Sequence, residues 1–157
     1  MTTQEWPLGR FFSFLTKQYI GKLAIQMEKT PVERYYFPLY LIGKKNGIIS
    51  QQELANQLLM DKVSLVRILD ALESDGFIER KTNPNDRRQH LLNITSQAEP
   101  WIGEIEKGIK ETNEYFFSLL DPSLHATFEL ILTELITKTQ EIPADQFEFF
   151  YPKKLNS

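Results

Sequence analysis

Residues 72–95, LESDGFIERKTNPNDRRQHLLNIT, restrict the fold more than any other part of this chain. They read as a helix end that passes through Gly76 into two short β-runs. The glycine supplies the backbone freedom needed to leave the helix. Ile78 on one run and Leu92 and Ile94 on the other are expected to face inward, and Asn83-Pro84-Asn85-Asp86 makes the tip of the hairpin. The turn region carries Asp86, Arg87 and Arg88. Guanidinium groups at a fingertip suit phosphates and groove edges, because their donors form a rigid fork.

The residues just upstream predict two helices. Ser50-Gln51-Gln52-Glu53 is a capping box, in which the hydroxyl takes a backbone donor three residues on and Glu53 reaches back to the Ser50 amide. The short helix it opens has Leu54, Ala55 and Leu58 as its inner face. A second helix is expected after Asp61, a good N-cap beside the positive end of the dipole. Its inner stripe is Leu65, Ile68, Leu69 and Leu72, and its outer face Lys62, Val63, Val66, Arg67 and Asp70. About three residues connect the pair, as a helix-turn-helix requires. A capped helix pair followed by a basic hairpin is how a winged helix-turn-helix presents itself to DNA.

Long helices flank this centre. Leu8, Phe12, Leu15, Tyr19, Leu23 and Met27 recur at gaps of three and four, the spacing of an amphipathic helix that stops before Pro31. Residues 34–42 are aromatic and apolar, with Pro38 either opening or kinking a helix. Lys44-Lys45-Asn46-Gly47 then forms a polar turn. After Thr95, Ile102, Ile105, Ile109, Phe116 and Leu119 trace a long helix. Asp121-Pro122 restarts the chain, and Leu124, Phe128, Ile131, Leu135 and Ile142 follow in near-heptad spacing. The first helix, the last helix and the aromatic tail (Phe147, Phe149, Phe150, Tyr151) look like a dimer seam, although they could instead complete a monomeric core.

Charge and composition exclude several classes. The 157 residues are 41% apolar and 25% charged, ordinary for a globular chain. No apolar run reaches the roughly 18–20 residues of a membrane span. The N-terminus lacks a basic leader and a small-residue cleavage site, so a cytoplasmic protein without a membrane partner is expected. Cysteine is absent, which removes disulfides and thiolate chemistry. His90 and His125 are far apart and sit in no zinc spacing, so neither metal nor other cofactor is expected. No nucleophile, base and orienting group fall together, and no glycine loop cradles phosphate, so an enzyme is not expected. The net charge of −3 is unevenly placed: residues 1–60 carry 7 basic and 4 acidic groups, residues 61–98 carry 6 and 6, and residues 99–157 carry 5 and 11. Residues 80–90 hold 4 basic groups to 1 acidic, and local charge governs phosphate neutralisation.

The expected DNA contacts follow. Arg87 and Arg88 enter a minor groove or grip its flanking phosphates, and Asp86 orients an arginine, either a neighbour or Arg67. Lys62, Ser64, Val66 and Arg67 occupy the first two turns of the second helix. Arg67 is placed to bond guanine O6 and N7, and Val63 and Val66 to meet thymine methyls. Ser50, Gln51 and Arg80 complete the expected set. Tyr35, Tyr36, Phe37 and Tyr40 cluster near the flanking helices. They read as core packing or, more sharply, as a small-molecule site built on Tyr35, Tyr36 and Tyr40.

On these residues the chain resembles the MarR (multiple-antibiotic-resistance regulator) family of transcriptional regulators. ISQQELANQL is similar to the family's first helix of the helix-turn-helix, DKVSLVRILDALESDGFIER to its recognition helix and first wing strand, and NPNDRRQHLLNIT to its wing with the Asp-Arg-Arg signature. The resemblance implies a homodimer with intertwined N- and C-terminal helices above two winged lobes. It also implies a palindromic double-stranded operator, and repression relieved by a small, often aromatic or phenolic, effector. Arg87 then corresponds to the wing arginine and Asp86 to its positioning partner, with Lys62, Ser64 and Arg67 as recognition-helix contacts. Val63 and Val66 replace the frequent Ser or Thr, Ala71 replaces a frequent basic residue, and Thr95-Ser96-Gln97-Ala98 replaces Thr-x-x-Gly.

The expectation is therefore one domain over residues 1–157, mainly α with a small β-hairpin wing. A winged helix-turn-helix lobe spans 34–98, and dimerisation helices span 1–30 and 99–157. The rival reading keeps the same fold as a protein-interaction module whose basic hairpin meets an acidic partner.

Overall fold

The computed structural model describes residues 5–32 and 35–142. The expected start of the second helix at Arg34 and the aromatic tail lie outside the described residues. Six α-helices and one hairpin are described: α1 (Leu8–Gln26), α2 (Tyr36–Lys44), α3 (Gln51–Leu58), α4 (Lys62–Ser74), β1 (Ile78–Asn83), β2 (Asp86–Ile94), α5 (Glu99–Ser118) and α6 (His125–Thr139). The fold is mainly helical with a two-stranded antiparallel wing, as the periodicities predict.

The core gathers between α2, α3, α4, β2 and α5. Leu39, Ile42, Ile49, Leu54, Leu65, Leu69, Leu72, Ile78, Leu92 and Ile105 are almost fully enclosed there. Pro38 lies in the first turn of α2 and opens it, because amides of that turn have no intrahelical acceptor to lose. The chain then reverses at Gly47, whose φ of +75° suits a residue without Cβ. Residues 47–50 run beside β2. Gly47 N donates to Leu92 O at 3.0 Å, Leu92 N donates to Ile49 O at 2.9 Å, and Ser50 forms a single bridge with Leu91. This short rung has too few alternating residues to announce itself in the sequence.

Three residues, Leu59, Met60 and Asp61, separate α3 from α4. Leu59 takes a left-handed conformation (φ 50°, ψ 42°) that lets the chain turn so sharply. At the far end of α4, Phe77 N bonds Leu72 O at 2.9 Å and Gly76 N bonds Glu73 O at 3.0 Å. With Gly76 at φ +75° this is a Schellman stop, and its hydrophobic pair is the buried Phe77 and Leu72. Ala98 ends the turn into α5 with a right-handed backbone, so the glycine of the family pattern has no conformational task here. Thr95 Oγ1 instead fastens that turn to Gly76 O at 2.6 Å.

The outer helices behave differently. In α1 only Leu23 is buried, while Leu8, Phe12 and Leu15 of the expected inner stripe are about half exposed. Leu23 and the adjoining Met27 pack toward α5, where Gly108 permits close approach. A one-turn 3-10 helix capped by Asp121 precedes α6. No residue of α6 is buried, and Leu124, Phe128, Ile131, Leu135 and Ile142 all face solvent. Among the described residues, no helix is long and apolar enough to cross a membrane.

Candidate nucleic-acid interface

The start of α4 is fixed by one carboxylate. Asp61 Oδ1 accepts from Val63 N at 2.8 Å and Ser64 N at 2.9 Å. The Ser64 hydroxyl, then its amide, hold the Asp61 carboxyl below the usual aspartate range. Ser64, expected to reach DNA, is therefore half-buried and turned toward its own cap. Lys62, Val63 and Arg67 are exposed on the outer side of α4, Val63 by 62%.

The start of α3 is fixed in the same manner. Ser50 N and Oγ donate to Glu53 Oε2 at 2.7 and 2.8 Å, and Glu53 N donates to Ser50 Oγ at 3.2 Å. The Ser50 amide, then its hydroxyl, lower the Glu53 pKa. Ser50 is largely buried and its amide and hydroxyl are engaged in the box, so its main part here is that of a cap at the edge of the groove between α3, α4 and the wing.

The tip falls at Asn83-Pro84-Asn85-Asp86, as expected, and the irregularity lies just beyond it in β2. Thr82 pairs with His90, but Asn83 pairs with Asp86. The turn proper is thus Pro84-Asn85, and Arg87, Arg88 and Gln89 bulge out of β2. A bulge bends its strand and redirects its side chains. Both arginines are exposed. Asp86 reaches Arg88 and not Arg87: Oδ1 accepts from the Arg88 amide at 3.0 Å and from Nε at 3.2 Å. The Arg88 side chain, then its amide, lower the Asp86 pKa.

These elements meet around one groove of about 220 Å3, lined by Gln51, Lys62, Val66, Arg88, Gln89 and His90 among others. Gln89 and His90 were not expected there; their signal was position in the basic segment, which the two arginines overshadowed. Arg80 is placed apart from the other expected contacts. Its guanidinium pairs with Asp70 at 2.7 Å and with Glu73, and its side chain is only 19% exposed.

The aromatic set does not act as one unit. Tyr36 is buried in the core, and burial, then the nearby Tyr19 phenol, raise its pKa. Tyr40 stacks on the exposed Phe37 with ring centroids 6.4 Å apart, and Tyr35 is half-buried. Among the described residues, no group of three or more His, Asp or Glu side chains is arranged to hold a metal.

The geometry has counterparts. Residues 36–90 match the model of the MarR family. A crystal structure of MarR is 25% identical, with a TM-score of 0.70 over 85% of this chain and 97% of that one. A MarR transcriptional regulator from Methanosarcina mazei Go1 is 22% identical, with a TM-score of 0.76 over 86% and 97%. A MarR mutant from E. coli complexed with operator DNA is 24% identical, with a TM-score of 0.74 over 85% and 96%.

Proposed function

We propose that the chain is a DNA-binding transcriptional regulator of the MarR family and not an enzyme, since residues 36–90 match that family's model. The observation that carries this reading is the shared groove. The exposed face of α4, the start of α3 and the bulged wing converge there, with Lys62 and Arg88 on its walls. The similarity to a regulator complexed with operator DNA supports the same use of this face.

In this reading α4 enters a major groove. Arg67 bonds a guanine edge, Val63 and Val66 meet thymine methyls, and Lys62 and Gln51 hold the adjoining backbone. Arg87 and Arg88 reach the neighbouring minor groove or its phosphates, with Arg88 aimed by Asp86.

The operator is a palindrome bound by a homodimer. A helix apolar around much of its girth is normally buried, and α6 exposes Phe128, Leu130, Ile131, Leu132, Leu135 and Ile136. A second copy covers that surface together with the exposed Leu8, Phe12 and Leu15 of α1. Residues 34–98 then form the DNA-binding lobe, and residues 1–30 and 99–157 the dimerisation part.

Binding represses transcription, and a small aromatic effector near Tyr35 and Tyr40 releases it by favouring a lobe spacing that no longer fits DNA. A gel shift with the duplex upstream of the chain's own coding sequence tests the function, followed by selection from random duplexes. Retarded complexes and an enriched inverted repeat are expected. Binding to an acidic protein surface with no duplex retained would support the interaction-module reading instead.

A further inference from the structure

Arg80 follows Ile78 by two residues on β1, so strand alternation turns both to the same inward face, against α4. A guanidinium there is largely cut off from water and needs anionic partners. It has two. Asp70 Oδ1 lies 2.7 Å from Nη2, and Glu73 Oε2 binds Nη1. The other Glu73 oxygen, Oε1, accepts from the Arg80 backbone amide at 3.2 Å. One carboxylate on α4 therefore grips the side chain and the main chain of a single β1 residue. The wing cannot slide or rotate against α4 without breaking both contacts. Downstream of that grip, β1 leads to the turn and bulge that carry Arg87 and Arg88.

Resting on the DNA-binding reading above, we propose that Arg80 is a positioning residue. Through Asp70 and Glu73 it sets the angle between α4 and the wing, so that Arg67 and Arg88 address the same duplex. It touches no phosphate. The arrangement has a second effect. Asp70 and Glu73 are acidic groups on the helix offered to DNA, and Arg80 neutralises part of their charge.

Positioning and mere charge masking predict opposite signs for the acidic partners. Removing Glu73 or Asp70 charge makes the face more positive, and masking alone then predicts tighter binding. Positioning predicts weaker binding. The experiment measures duplex affinity and its salt dependence for the full-length wild type, Glu73→Gln, Asp70→Asn, Arg80→Ala and Arg80→Lys. Melting temperatures confirm that each is folded at the assay temperature.

Glu73→Gln and Asp70→Asn should each weaken binding, Glu73→Gln on the order of tenfold, the scale of one charge-assisted hydrogen bond. Arg80→Ala should weaken it at least as much, with an unchanged salt slope, and Arg80→Lys should recover part of the loss. Should Arg80→Ala prove unfolded, the Glu73→Gln result decides by itself. Equal or tighter binding by Glu73→Gln overturns the proposal. So does a salt slope reduced by about one unit in Arg80→Ala, which would make Arg80 a phosphate contact. A wild type that binds no duplex refutes the function itself, and the positioning role with it.

Discussion

Asp86 holds Arg88 at two points, accepting from its amide at 3.0 Å and its Nε at 3.2 Å. The two residues flank Arg87 where β2 enters its bulge. The Arg88 side chain remains 91% exposed, so the carboxylate directs the guanidinium without hiding it. Asp86→Asn should leave the melting temperature nearly unchanged, because exposed pairs add little to stability. Duplex affinity should fall roughly two- to tenfold, the cost of ordering one long side chain on binding. Fluorescence anisotropy checks the second outcome and a thermal melt the first.

Acid should unfold the chain partly through its helix caps. The Asp61 and Glu53 carboxyls are held below their ordinary values by bonds from Ser64 and Ser50. A group depressed in the folded state adds stability in full above its unfolded value, about 4. That contribution is lost as pH falls through the lower, folded value. Asp61→Asn keeps an acceptor but cannot titrate. Its melting temperature should decline less steeply than the wild type's as pH is lowered below about 4. Parallel declines would mean that Asp61 contributes nothing to the acid limb.

Gly108 governs how closely α1 approaches α5. A Cβ there would overlap the Met27 Cε and lie 3.3 Å from the Gln26 Cβ. Gly108→Val should destabilise by about 1–3 kcal/mol, the usual cost of overpacking. Met27→Ala alone should cost about 2–5 kcal/mol, as large-to-small core changes do. The double variant should cost less than the sum, because truncating Met27 removes the clash. Additive losses in urea melts would contradict direct contact.

The exposed stripe on α6 predicts self-association. Ile131→Glu with Leu135→Glu should convert a dimer to monomers in sedimentation equilibrium and abolish tight operator binding. The lobe itself should stay folded, since neither residue is buried in it. A wild type that is monomeric at micromolar concentration would remove the dimer from the account.

The helix-turn-helix and the exit from α4 are legible because their signals are local. Ser50 with Glu53, and Asp61 before an apolar stripe, specify helix starts through bonds spanning two or three residues. Gly76 specifies the stop by the same kind of short-range geometry. What is not legible depends on a neighbour in space. Arg80 read as one more cation until α4 brought Asp70 and Glu73 beneath it, although its spacing from Ile78 already placed it on the inward face. Ser50 is expected to reach outward, yet the capping box that reveals it already engages its amide and hydroxyl. The choice between Arg87 and Arg88 turned on a bulge, which residue types alone do not position. The apolar stripes of α1 and α6 were found, but whether they meet this chain or another is not encoded in their spacing.

The most direct test titrates a selected duplex with wild type, Arg88→Ala and Arg67→Ala between about 50 and 200 mM salt, where phosphate contacts dominate the slope. For wild type the logarithm of affinity should fall linearly with the logarithm of salt. Arg88→Ala should weaken binding to every sequence and reduce that slope by about one unit. Arg67→Ala should relax preference at one base position, by about 1–3 kcal/mol. A slope untouched by Arg88→Ala, together with uniform loss in Arg67→Ala, would contradict a wing and helix seated together on one double helix.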